Sequence, residues 1–527
     1  MSADIDHHCE DRLRTGHCPN VNHTSGTSSV EGMKKEFHVS RLRKSLSRAS
    51  LAGTAVSVAA LVTTCGPATF ASASSNRATT VPLSVTWMPS YAAPNTPAQY
   101  NKVGVLKIGP SSAKNVLVLE PGTSAGSAYF VPLAKWIVSE TPGWQVWSVE
   151  RRENLLEDQS ELNLFKEGKA TATQLFDYYL GYIKDPAITH HFQMIPNSTV
   201  GFAKSWGMNV AVQDLHTVIG AATKLGGKVV LGGHSLGGAV VTAYATWDFN
   251  GKPGADQLSG LVYIDGASSP TPEALSAGGV PAPMTAALAT QELQALDQPS
   301  ASPWLSFGGI TAPYAGLFNA TGSAAALLDP DAPSLGQASG LLPADIVPPV
   351  RVSNVGQYGY ALNVATSPPS LEAAQAHLGE GVSSQGPIHG WNGRGALTPI
   401  TRFAAMFSGA GVDDADGTEW YFPQRLTDDT AAVADGNANA AQSVLDVQST
   451  MGHDLPHSLL IYAFAAHLGG PGVLSATKTL ALQSGIPMSH LTLIDEHTTY
   501  AHNDPAGAYP KNVFFAHLVP FLKKVGR

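Results

Sequence analysis

The sequence predicts an α/β protein with a mostly parallel central sheet, and three observations predict it. Short apolar runs alternate with segments of helical spacing, one run ends in a doubled-glycine turn, and the alternation stops at residue 266 to resume near 457. Residues 81–108 hold two runs, VPLSVTW and VGVLKI, separated by Pro- and Asn-rich sequence, as antiparallel edge strands would be. NVLVLE (115–120) is a continuous buried-strand pattern, followed by the turn PGTSAG and an amphipathic AYFVPLAKWIVSE. WQVWSVE (144–150), KVVLGG (228–233) and LSGLVYID (258–265) repeat that pattern, with helical spacing over 205–225 and again after KVVLGG. Such alternation implies helices on both faces of the sheet.

Residues 266–456 are rich in Ala, Pro, Gly and Ser and too long for a structureless loop, so a large, mainly helical cap is expected after the sixth strand. HSLLIYAFAAHL (457–468), a helix near 475–484, HLTLID (490–495) and a terminal helix over 512–524 restore the pattern. The expected plan is a core split into residues 74–265 and 457–527, with the cap, 266–456, between them.

The 527 residues are 43% hydrophobic and only 13% charged, with 52 Gly and 36 Pro, which describes a folded, loop-rich chain. A net charge of −9 argues against nucleic acid as a partner, because phosphate contacts need the opposite sign. Residues 1–32 lack apolar periodicity and read as a spurious or disordered extension, in which His7 and His8 beside Cys9 are not read as a metal site. From Met33, the basic residues Lys34, Lys35, Arg41, Arg43, Lys44 and Arg48 precede the apolar run LAGTAVSVAALVTTC, and Ala71 and Ala73 form an A-x-A site. That run is shorter than the ~20 residues of a membrane span, so residues 33–73 read as a signal peptide and the protein as secreted, with no integral membrane segment once cleaved. Thr64 is bulkier than the residue usually found before a lipidated cysteine, which argues against anchoring at Cys65. Cys9, Cys18 and Cys65 all precede the cleavage point, so the remaining chain relies on its core rather than on disulfides.

Gly233-His234-Ser235-Leu236-Gly237 matches G-x-S-x-G, whose small residues permit a strained strand-to-helix turn that projects the serine hydroxyl. A second match, Gly122-Thr123-Ser124-Ala125-Gly126, follows the earlier strand. Context separates them: Ser235 follows Val229, Val230 and Leu231 and opens a strongly apolar helix, which favours it as the nucleophile. The chain resembles the α/β-hydrolase superfamily from about Val81 to Arg527, through strand-PGTSAG, VVLGGHSLGG, LVYIDGAS and YAHNDP. It looks like an exported bacterial serine hydrolase of the esterase or lipase kind, its substrate unassigned. The resemblance implies an oxyanion hole from the N–H groups of Leu236 and of Thr123 in the earlier turn.

A serine hydroxyl needs a histidine to take its proton. His490 begins a strand at its wrong end and His517 reads as a packed helix residue, which leaves His502, in the turn TYAHNDP where the resemblance places the base, and His497. The acid departs from the common pattern, because no Asp or Glu occurs between Leu455 and Ile494. Asp265, at the end of LVYID, is the best replacement, with Asp495 and Glu496 as spares; an Asp-Gly after a strand is also an ordinary turn.

His190 and His191 read as loop residues, and the run Glu150, Arg151, Arg152, Glu153 as a solvated ion cluster rather than a polar substrate site. No phosphate loop, dinucleotide fingerprint or Cys/His metal spacing occurs, so neither cofactor nor metal is expected. The expected function is hydrolysis of a small-molecule ester or related acyl bond through an acyl-enzyme on Ser235, with amide or peptide substrates as variants. Trp304, Trp391 and Trp420 in the charge-poor insert suggest a partly apolar substrate, or the insert's own core. The other reading is a non-catalytic binding protein on a decayed hydrolase scaffold.

Overall fold

A computed structural model describes residues 82–267, 284–307 and 310–527. The segment 33–73 read as a signal peptide, the three cysteines and His7 and His8 lie outside those residues. Within them, nine strands form one sheet. They are β1 (Leu83–Pro89), β2 (Lys102–Ile108), β3 (Asn115–Glu120), β4 (Trp144–Glu150), β5 (Val229–His234), β6 (Gly260–Ile264), β11 (Val412–Asp413), β12 (Leu460–Ala465) and β13 (Leu491–Asp495). Two small ribbons stand apart, β7 (Ser306–Phe307) with β8 (Ile310–Thr311) and β9 (Gly381–Val382) with β10 (Trp391–Asn392). The main sheet runs β11-β1-β2-β4-β3-β5-β6-β12-β13. Strands β4, β3, β5, β6, β12 and β13 pair in parallel, while β2 is antiparallel to both β1 and β4.

Period-2 alternation sorts the central strands into two cores. Val116, Val118, Val229, Leu231, Leu261 and Tyr263 face the helices Met208–Thr223 and Leu236–Ala245. Leu117, Leu119, Val230, Val262 and Ile264 face the helices Val131–Glu140 and Val513–Val525. The mostly parallel sheet with helices on both faces is therefore as expected.

The insert is less separate than the sequence suggested. Its strand β11 pairs with β1 at the sheet edge. Phe403, Met406 and Phe407 complete one core, and Phe422, Leu426 and Leu445 the other. A third cluster joins the insert's Trp304, Leu317, Trp420 and Tyr421 to Leu162, Phe165, Tyr179 and Trp206 from the excursion between β4 and β5. Trp304 and Trp420 thus fill that core, and Trp391 packs on Gly359.

Two readings need correction. Glu150, Arg151, Arg152 and Glu153 are all buried, because β4 is enclosed on both faces and carries its C-terminal residues inside with it. Arg152 pairs with Asp214, and Arg151 with Glu120 and Glu419. His517 is exposed, since the apolar stripe of its helix runs through Phe514, Phe515, Leu518 and Phe521 instead.

Candidate active site

Strand β5 runs straight into the helix Leu236–Ala245 with only Ser235 between them. Ser235 sits at φ 56 and ψ −127, a conformation rarely adopted by a side-chain-bearing residue, so the turn stores strain. Its N–H donates to Ile264 O at 3.1 Å and its carbonyl accepts from Gly238 N at 2.8 Å, which pins the turn against β6. Gly266 is required there, since a Cβ on it would stand 2.0 Å from Ser235 O.

Four residues of the site come from four sheet-connected segments. Asp265 follows β6, and its Oδ1 accepts from Ala466 N at 2.7 Å and Gly469 N at 3.1 Å, both at the end of β12. Its Oδ2 accepts from His502 Nδ1 at 2.6 Å, with both side chains almost fully buried. A proton on Nδ1 leaves Nε2 as the basic nitrogen of a neutral His502. The turn after β3 closes on Ser235, because a Cβ on Gly122 would lie 2.8 Å from Ser235 Cβ. The N–H groups of Thr123 and Leu236 donate to no protein group among the described residues.

Residues that the sequence did not single out hold the loop bearing His502. Asp504, fully buried, accepts from Ala501 N, His377 N, His377 Nδ1 and Thr398 Oγ1 at 2.6–3.1 Å. Asn503 accepts from Tyr129 Oη at 2.9 Å and donates to the carbonyls of Ala373 and Gln375. His234 donates from Nε2 to His502 O at 2.9 Å, and its ring lies 4.4 Å from that of His502. Burial, with the neighbouring His502, holds the His234 imidazole well below its ordinary value, so it stays neutral. The sequence signal available was HNDP itself, three polar residues before a proline in one tight turn.

The alternatives fall elsewhere. His497 pairs with Asp495 at 2.6 Å in a half-exposed contact at the sheet's edge, bringing the spare base to a spare acid rather than to Ser235. Ser124 also has positive φ, 54, but its hydroxyl donates to Glu419 O at 2.8 Å. His490 lies in a short turn before β13, and His190 and His191 lie in an irregular segment. Among the described residues there is no cluster of His, Cys, Asp and Glu suited to a metal, and no helix long and apolar enough to cross a membrane.

No protein-family model and no curated protein matches the chain. Solved structures similar to it include a highly thermostable carboxyl esterase from Bacillus coagulans, at 11% identity and TM-score 0.36 over 84% of this chain and 100% of that one. A soluble variant of monoglyceride lipase from Saccharomyces cerevisiae aligns at 12% identity and TM-score 0.34, over 85% and 97%. The monoacylglycerol lipase of Paleococcus ferrophilus aligns at 13% and 0.33, over 80% and 99%. A mostly parallel sheet with helices on both faces, turned from strand to helix at a strained serine, is the architecture that the resemblance to the α/β-hydrolases led us to expect.

Proposed function

We propose that the protein is an exported serine hydrolase that cleaves an ester or related acyl bond, with Ser235 as nucleophile, His502 as general base and Asp265 as the acid orienting it. The observation that carries this reading is the buried 2.6 Å contact between His502 Nδ1 and Asp265 Oδ2, in a fold that sets Ser235 on a strained turn. Ser235 Oγ attacks the acyl carbon while its proton passes to His502 Nε2, and the N–H groups of Thr123 and Leu236 receive the oxyanion. Collapse breaks the acyl–oxygen bond, and His502 returns the proton to the leaving alcohol. Water, deprotonated by His502, then attacks the acyl-enzyme, releasing acid and restoring Ser235. Esters are favoured over amides only by the general ease of the chemistry, and a partly apolar substrate is no longer supported by Trp304 or Trp420, both of which are buried in core. Residues 33–73 would direct export and be removed.

The test is labelling of residues 74–527 with a fluorophosphonate, the adduct mapped by mass spectrometry. Labelling at Ser235, abolished in Ser235→Ala and reached in Ser124→Ala, is the expected result. A folded wild type that never reacts would favour the non-catalytic binding protein, and an adduct on Ser124 would move the nucleophile.

A further inference from the structure

The guanidinium of Arg151 is buried beneath the turn that follows β3 and touches that turn at three points. Nη1 donates to Gly122 O at 3.3 Å and Ala125 O at 3.5 Å, and Nη2 donates to Pro121 O. Nε donates to Glu120 Oε1 at 2.8 Å and Nη1 to Glu419 Oε2 at 2.6 Å, so the buried cation is paired on two sides. The ring of Phe422 lies 5.7 Å from the guanidinium carbon.

The orientation of that turn follows from peptide geometry. In a trans peptide the C=O of one residue and the N–H of the next point in opposite directions. With Gly122 C=O drawn toward Arg151, the N–H of Thr123 must point away from it, and that N–H has no protein acceptor among the described residues. Three carbonyls and two carboxylates converge on one group, which suits a flat fork with five donors; a lysine ammonium, with three, cannot serve them all.

The insert supplies the other half of the grip. Glu419 N donates to Ser124 O at 3.0 Å, Ser124 Oγ donates to Glu419 O at 2.8 Å, and Gly126 N donates to Gly417 O at 3.0 Å. Residues 416–419 therefore lie along the turn as a short ladder, with the Glu419 carboxylate reaching under it to Arg151.

We propose that Arg151, fixed by Glu120 and by the insert's Glu419, is the positioning residue that aims the Thr123 N–H at the oxyanion, so that the insert completes the catalytic site rather than only covering it. This rests on the serine-hydrolase reading given above. An aimed N–H acts on the tetrahedral species and not on bound ester, so its loss lowers kcat and leaves KM nearly unchanged.

The test uses residues 74–527, a p-nitrophenyl ester and an aryl trifluoromethyl ketone whose hemiketal adduct carries an oxyanion. Arg151→Lys keeps the charge and removes the fork. It is expected to lower kcat about 10²-fold, to weaken the ketone by a similar factor and to change KM by less than about threefold. Ser124→Ala removes one rung of the ladder and should lower kcat and ketone affinity together by a smaller factor. Should Arg151→Lys fail to fold, Ser124→Ala decides alone. Parallel loss in kcat and ketone affinity at constant KM supports the positioning role. Wild-type kcat and ketone affinity in folded variants, or a loss shared equally by KM, overturns it while leaving the nucleophile intact. A wild type that neither turns over nor reacts with a fluorophosphonate overturns the serine-hydrolase reading, and the positioning role with it.

Discussion

His502 Nδ1 donates to Asp265 Oδ2 at 2.6 Å across 237 residues of sequence, with the whole insert lying between the two partners. The carboxylate is itself fixed, since its other oxygen accepts two backbone N–H groups from the end of β12. Asp265→Asn changes the proposed base, His502, without emptying the site. The Asn carbonyl oxygen takes the two N–H donors, which turns its amide NH₂ toward His502 and forces the proton onto Nε2. A histidine protonated at Nε2 cannot accept from Ser235. We expect kcat to fall on the order of 10³- to 10⁴-fold with an unchanged circular dichroism spectrum. Activity within tenfold of wild type would remove Asp265 from the mechanism.

Gly122 tests the approach of the turn to Ser235, the proposed nucleophile. A methyl group there would meet Ser235 Cβ at 2.8 Å and His234 O at 3.1 Å. Gly122→Ala must therefore shift the turn away from Ser235, and the Thr123 N–H with it. The expected outcome is a loss of at least tenfold in kcat and slower fluorophosphonate labelling, while the urea midpoint moves little because the neighbouring β3 remains paired on both sides. Labelling at the wild-type rate would show that the turn is not part of the reacting assembly.

How much of this was legible depended on distance in sequence. Ser235 was marked by a local pattern, the apolar β-run Val229, Val230, Leu231 closed by doubled glycines. Asp265 was reached by elimination, because the stretch Leu455–Ile494 carries no carboxylate. Arg151 and Arg152 were misread as solvated because adjacent charges after a strand ordinarily face water, and the partners that permit their burial, Glu419 and Asp214, stand 268 and 62 residues away. No period or spacing announces such pairs. Strand β11 was invisible for another reason: two residues are too few for any alternation, and only the exposed edge of β1 makes them a strand.

Trp420 distinguishes an insert that belongs to the core from one that closes over it. Its side chain is fully buried among Tyr179, Phe192 and Gly316, at the junction of the insert with the excursion after β4. Trp420→Ala should destabilise the protein by about 3–5 kcal/mol, toward the lower end because the indole N–H has no acceptor among the described residues and its removal relieves an unpaired donor. Urea unfolding of residues 74–527 should remain one transition at a lower midpoint. Two separate transitions would mean that the insert folds apart from the sheet.

Glu150 gives the fold a dependence on pH. Burial raises its carboxyl from the ordinary 4.5 to about 8, against the opposing hydrogen bond that it accepts from Ser127 N at 2.7 Å. The folded protein therefore holds a proton that the unfolded chain releases near 4.5. This contribution to stability is fully present below about pH 4.5 and is lost as pH rises through about 8, at up to about 1.4 kcal/mol per pH unit. Glu157 and Asp416 are also raised chiefly by burial and slope in the same direction, so wild type alone would not isolate Glu150. Glu150→Gln keeps an oxygen for Ser127 N and has no proton to lose. The difference in urea midpoint between variant and wild type, measured at pH 5, 6.5 and 8, should move steadily in favour of Glu150→Gln as pH rises. A difference that stays constant across that range would mean that Glu150 is ionised inside the fold and that its neighbours carry the slope.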